Sequence, residues 1–235
     1  MIYFVMVMGY VFHDQSTLQT AVASWCANAA EAESIYGTIS TWNTSLVTSF
    51  RNLFRHQPSS CNPVGIGAWD VSHVNSFHHC FAGLALFNED LSSWNVSSAQ
   101  SFHRMFENAA VFDQDLSSWI VSHVTDMTRM FYGCTAFNQD LASWDVSKVT
   151  NFGSMFEKAT SFASDLRSWS IQHGASTVGM FYQADAFNMS DFPFNTRELF
   201  RPGELQFAIN KWCANAAEAE SIYGTISTWN TSLVT

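Results

Sequence analysis

Four aspartates, Asp90, Asp115, Asp140 and Asp165, stand 25 residues apart. Carboxylates held at a regular pitch repel one another unless something compensates them. Calcium between them would do so, since hard oxygen ligands suit it. The alternative is that each accepts backbone N–H bonds within its own turn, which Asn88, Asp113 and Asn138 two residues ahead favour. Eight histidines raise a second question. His73, His123 and His173 share one slot on alternate repeats, too far apart to share an ion, whereas His78 and His103 are 25 residues apart with His79 alongside. With no further ligand at a zinc spacing, the histidines read as solvated surface residues. Cys26, Cys61, Cys80, Cys134 and Cys213 form no CxxC pair. The many serines stand in no GxSxG, and no glycine-rich loop could cradle phosphate. The expectation is a non-enzyme with no cofactor and no metal centre, calcium at the four aspartates being the alternative.

The positions of those residues follow from a repeat. Trp69, Trp94, Trp119, Trp144 and Trp169 keep the same 25-residue period, as do Phe87 to Phe187 and Phe81 to Phe181. Trp42 precedes Trp69 by 27, and Phe194 takes the next tryptophan position, giving about seven rungs with irregular ends. In "LASWDV" the apolar residues Trp144 and Val146 alternate as in a short strand with one buried face. Val149, Phe152, Met155 and Phe156 then read as the stripe of a short helix capped by Thr150. The expected fold is therefore α/β: a leucine-rich-repeat-like solenoid with one short parallel strand and one short helical segment per coil. Each tryptophan is expected to be a core plug. Cys80 stands where other repeats have Met, and Cys134 where they have Ala or Leu, so both read as small core residues.

The unit "FNQDLASWDVSKVTNFGSMFEKAT" closely resembles the bacterial surface protein repeat of BspA-like leucine-rich-repeat proteins. That repeat was first described in Mycoplasma and Listeria surface lipoproteins, and similar arrays occur in marine single-celled algae. The resemblance covers about residues 38 to 196 and departs at "IQHGASTVGMF", where the expected helix start is lost. It implies a cell-surface or extracellular location and a role in adhesion or in binding a protein or glycan.

Around the repeat, residues 1–15 read as an apolar leader or edge segment and 16–37 as a capping helix with Gly37 as its stop. The repeats occupy 38–199. Residues 200–235 read as a joint followed by a second copy, since 212–235 repeats 25–48 letter for letter. Export would permit a Cys26–Cys61 bridge, but the odd cysteine count leaves its pairing open. A net charge of −10 argues against a nucleic-acid partner, and no apolar run reaches bilayer length. Asn43, Asn95, Asn188 and Asn230 head N-x-Ser/Thr triplets. The expected binding face alternates with the buried tryptophans. It comprises Asp70 and Ser72; Ser93, Asn95 and Ser97; Ser118, Ile120 and Ser122; Ser143, Asp145 and Ser147; and Ser168 and Ser170. Its ligand would be a protein or glycan. A structural array of self-associating tandem modules is the alternative, and ice binding a remote third, since Asp70 and Asp145 interrupt the ladder.

Overall fold

The computed structural model describes residues 9–193 and, beyond them, Ala216 alone. Most of the leader, Phe194, Asn230, Cys213 and the expected joint and second copy lie outside the described residues.

The cap comes first. Asp14 starts helix α1 (Gln15–Ala27) by accepting the Thr17 N–H at 2.8 Å, and Leu18, Ala21 and Val22 form its buried face. Asn28 ends α1 and starts α2 (Ala29–Tyr36), accepting the Glu31 N–H, so the expected single helix is two. Gly37, at φ 76, turns the chain out. The side-chain amides of Gln15 and Gln19 both donate to the Arg51 carbonyl, at 2.7 and 2.9 Å. A disulfide joins Cys26 to Cys61 and so ties the cap to the start of the stack. Ahead of α1, Phe12 is buried and pairs its N–H with the Asn43 carbonyl.

The repeats do stack with a 25-residue period, but the leucine-rich-repeat reading is corrected. Among the described residues there is no sheet, and β pairing is limited to isolated parallel bridges, Val11–Asn43 at the cap and Ser49–Ser76–Ser101–Asp126–Asn151–Ser176 along the stack. The tryptophan segment is not a strand. In the coil around Trp119, Ser117 N–H bonds Asp115 Oδ1 and Trp119 N–H bonds the Leu116 carbonyl, so the segment is an Asx-headed turn. A second turn closes from Val124 N–H to the Val121 carbonyl.

The expected helical segment is not helical either; it carries the inter-coil ladder. Met127, Arg129, Phe131 and Gly133 donate their N–H groups to Asn151, Gly153, Met155 and Glu157 of the next coil. The residues between them close turns three back, as Met130 does on Met127 and Tyr132 on Arg129. Two left-handed residues per coil make this possible. One slot holds His79, Arg104, Arg129, Ser154 and Gly179; the other holds Gly83, Asn108, Gly133, Lys158 and Gln183. Thr150 caps no helix; its hydroxyl donates to the Thr125 carbonyl at 3.0 Å. The last repeat departs by one residue: its turn closes from Ala175 N–H to the Gln172 carbonyl, and Ser176 rather than Ala175 donates its N–H to the Thr150 carbonyl.

Inside, the side chains form ladders. Phe106, Phe131, Phe156 and Phe181 stack along the column at 5.6–5.7 Å, and each lies 3.9–4.0 Å from its partner in the parallel ladder Phe112, Phe137, Phe162 and Phe187. The indole N–H of each 25-residue-period tryptophan from Trp94 to Trp169 donates to a carbonyl of the coil before: Trp94 to Ile66, Trp119 to Leu91, Trp144 to Leu116, Trp169 to Leu141. The plug is therefore also a tie between coils. Cys80 and Cys134 are fully buried, and burial drives both thiols well above their ordinary value.

Candidate functional site

The stack brings two groups of polar residues into register, one on the tryptophan side and one on the ladder side. On the tryptophan side, Asp70, Asn95, Ile120, Asp145 and Ser170 are all exposed and occupy one slot of successive coils. The serines beside them hold the pitch. The hydroxyls of Ser93, Ser118, Ser143 and Ser168 donate to the carbonyls of Gly67, Ser92, Ser117 and Ala142, each in the preceding coil, at 2.7–3.0 Å. Asp70, Asn95 and Asp145 accept the N–H of Ser72, Ser97 and Ser147 two residues on. Much of the expected polar face is thus committed to the fold, and Ser122 is only half-exposed. Ile120, 60% exposed, is the large apolar side chain in this slot.

The four aspartates of the 25-residue series close their own turns. Asp90, Asp115, Asp140 and Asp165 accept from the N–H of Ser92, Ser117, Ala142 and Arg167 at 2.8–2.9 Å. The Ser92 and Ser117 N–H bonds hold the Asp90 and Asp115 carboxyls below the ordinary aspartate value, and the Arg167 guanidinium brings Asp165 to about 2. Asp140 and Asp165 line a shallow groove with Asn138, Ser164 and Ser168. One oxygen of each carboxylate is already spent on its turn.

The ladder side holds a group that sequence reasoning placed in solvent. His73, His123 and His173 are exposed as expected, but His79 is only 3% exposed, and His78 and His103 are half-buried. One ring nitrogen from each of the last three lies within 4.8 Å of the other two. His78 and His103 occupy one slot on adjacent coils and stack at 4.4 Å, 11° from parallel. His79 sits in the left-handed slot, φ 55, which turns its ring beside theirs and sets its Nδ1 2.7 Å from that of His78. Burial, then neighbouring His103, lowers His78 to about 4; burial, then His78, lowers His79 to about 3. Burial also lowers His103, against the opposing pull of Asp126. All three rings are neutral at neutral pH. The signal in the sequence was the 25-residue spacing itself, which makes positions 78 and 103 neighbours.

A family described as Mycoplasma protein of unknown function, DUF285, matches residues 26–142 and, in a second placement, 114–215. No curated protein and no solved structure matches the chain.

Proposed function

The chain belongs to the DUF285 family of Mycoplasma proteins of unknown function, whose two matches together run from residue 26 to 215, and from that premise we propose that it is a non-enzymatic repeat scaffold of the cell surface that binds a protein or glycan along its tryptophan-side slot. The observation that carries this reading is the locked pitch of that slot. Serine hydroxyls bonded coil to coil hold Asn95, Ile120 and Asp145 in a rigid row. Such a row loses little side-chain freedom on binding. An exposed isoleucine between an amide and a carboxylate offers an apolar anchor with polar flanks.

Two further features support the surface location. The Cys26–Cys61 bridge suits an oxidising compartment. The finer kinship with BspA-like surface repeats rests on the "DLSSW" and "VSxVTxM" signatures. Among the described residues no helix is long and apolar enough to cross a membrane.

The test is a binding screen of the immobilised chain against glycans and extracellular-matrix proteins, repeated with Ile120→Asp and Asp145→Ala. A ligand whose affinity falls at least about tenfold in Ile120→Asp is the expected result for loss of a central anchor. Ligands that bind both variants as tightly as the parent would overturn the slot reading. A structural array of tandem modules is the second reading, favoured by the verbatim return of 25–48 at 212–235. Concentration-dependent self-association in analytical ultracentrifugation would select it.

A further inference from the structure

We propose that His78, His79 and His103 form a binding site for a divalent late transition cation of the zinc class, which clasps two adjacent coils of the stack. The three rings come from two coils, and each has one nitrogen within 4.8 Å of the others. A zinc ion bound to three imidazoles at about 2.0–2.1 Å needs nitrogens some 3.3 Å apart, so small side-chain rotations close the set.

Packing alone does not account for the arrangement. His79 is buried, yet its Nε2 has no hydrogen-bond partner, and neither has the buried Nδ1 of His103. Burying a polar nitrogen unpaired is unfavourable. Elsewhere in the stack the same slots take other side chains, although Arg104, next in the His79 slot, also leaves a buried Nε unpaired. Thr128 and Gly153 follow His103 in its slot, and Arg129 and Ser154 follow Arg104 in the slot of His79. The repeat therefore has no need of imidazole here.

A carboxylate stands behind one of the three rings. Glu107 places Oε2 3.9 Å from His79 Nε2, so that His79 ligating through Nδ1 would turn its Nε2–H toward a carboxylate. Glu107 is itself held by Arg104 at 3.6 Å and Arg129 at 3.5 Å. Asp126 adds a second negative charge, while Arg51, Arg55 and Arg104 act on the rings as positive charges, so imidazole coordination rather than local charge would hold the ion. The Nδ1 atoms of His78 and His79 now share one proton at 2.7 Å. Binding at both shifts that proton to Nε2 of its own ring, a tautomer change with no net proton loss. Imidazole ligands select zinc, copper or nickel over calcium or magnesium.

The experiment titrates the chelator-treated chain with Co2+ and with Zn2+, following cobalt d–d absorption and the thermal midpoint. Cobalt bands, displaced by zinc, and a midpoint that rises with free Zn2+ are expected for an ion that binds only the folded state. In His103→Thr, which installs the residue the next coil carries, affinity is expected to fall at least about tenfold. His73→Ala and His123→Ala, exposed and remote, serve as controls and should bind as the parent does. No cobalt band in the parent, or an equal zinc-induced shift in parent and His103→Thr while both melt cooperatively, would overturn the site.

Discussion

At the scale of single residues, the tryptophan is the clearest case of a side chain with two duties. Phenylalanine fills ladders elsewhere in this core, so apolar volume alone does not call for an indole. Trp119 donates to the Leu91 carbonyl at 3.0 Å, and that carbonyl belongs to the previous coil. Trp119→Phe keeps an aromatic plug but removes one of the two donors to the Leu91 carbonyl, which still accepts the Trp94 N–H, so the expected cost is about 0.5–1.5 kcal/mol beyond lost contact area. Urea unfolding measures it; a loss no larger than that of a conservative surface change would mean the indole bond contributes nothing. Asp145 makes the opposite case, a group whose charge is incidental. The Ser147 hydroxyl and N–H hold its carboxyl below the ordinary aspartate value. A carboxyl lowered on folding adds stability above its unfolded value and loses it as pH falls through the folded one. Asn43 and Asn95 fill the same slot, their Oδ1 accepting from Ser45 and Ser97. Asp145→Asn should therefore leave stability at pH 7 nearly unchanged and flatten its decline below about pH 4. Parallel pH profiles of parent and variant in urea titrations would contradict this.

At the scale of elements, the ladder segment depends on backbone that turns left-handed twice per coil. Gly133, at φ 69, shares its slot with Lys158 at φ 63 and Asn108 at φ 60. A Cβ on Gly133 would meet Asn108 Oδ1 at 2.5 Å, so Gly133→Ala combines strain with a clash and is expected to cost about 1–3 kcal/mol. Lys158→Gly removes the same strain one coil later and should be neutral or slightly stabilising. A lower thermal midpoint for Gly133→Ala with no loss in Lys158→Gly is the expected outcome; equal destabilisation would refute the slot's left-handed demand. This slot also explains how the sequence misled. Val149, Phe152, Met155 and Phe156 are spaced like a helical stripe, but consecutive turns closing three residues back bring the same side chains inward. Gly83, Asn108 and Gly133, residues tolerant of positive φ, recur at 25 two residues past the stripe, where a helix could also stop, while the left-handed slot inside the stripe carries His79, Arg104, Arg129 and Ser154, which do not announce a positive φ. Likewise "DLSSW" hides an Asx turn, aspartate two residues ahead of the N–H it accepts, behind an alternation that looks like a strand. The core, by contrast, was readable, because apolar identity at a constant period survives whichever local conformation delivers it. The grouping of the histidine trio was legible from its spacing, but its burial was not, because His79 sits in the other left-handed slot, which the helical reading had no place for.

At the scale of the whole molecule, stability must be the sum of coils and the interfaces between them. Every described coil contacts its neighbours through the same backbone ladder, tryptophan tie and phenylalanine stacks, while α1 closes the first coil through Gln15 and Gln19. A stack of that kind behaves as a one-dimensional array with nearest-neighbour coupling. Excising residues 134–158 removes one 25-residue period and joins Gly133 to Ala159, which occupies the slot of Cys134. Trp144 then leaves with its coil, and Trp169 inherits the Leu116 carbonyl in its place. The shortened chain should fold with the same circular dichroism shape, a lower midpoint, and a denaturant slope reduced in proportion to the surface no longer buried. The His78, His79 and His103 group lies outside the excised coil, so any zinc-induced rise in midpoint should persist in it. Excising 134–146 instead, half a coil, brings Ser147 to follow Gly133 and throws every later tryptophan out of register. That chain is expected to lose cooperative unfolding altogether. If both excisions unfolded alike, the coils would not be equivalent units, and the ladder of identical ties would be a consequence of some other constraint rather than the source of the fold.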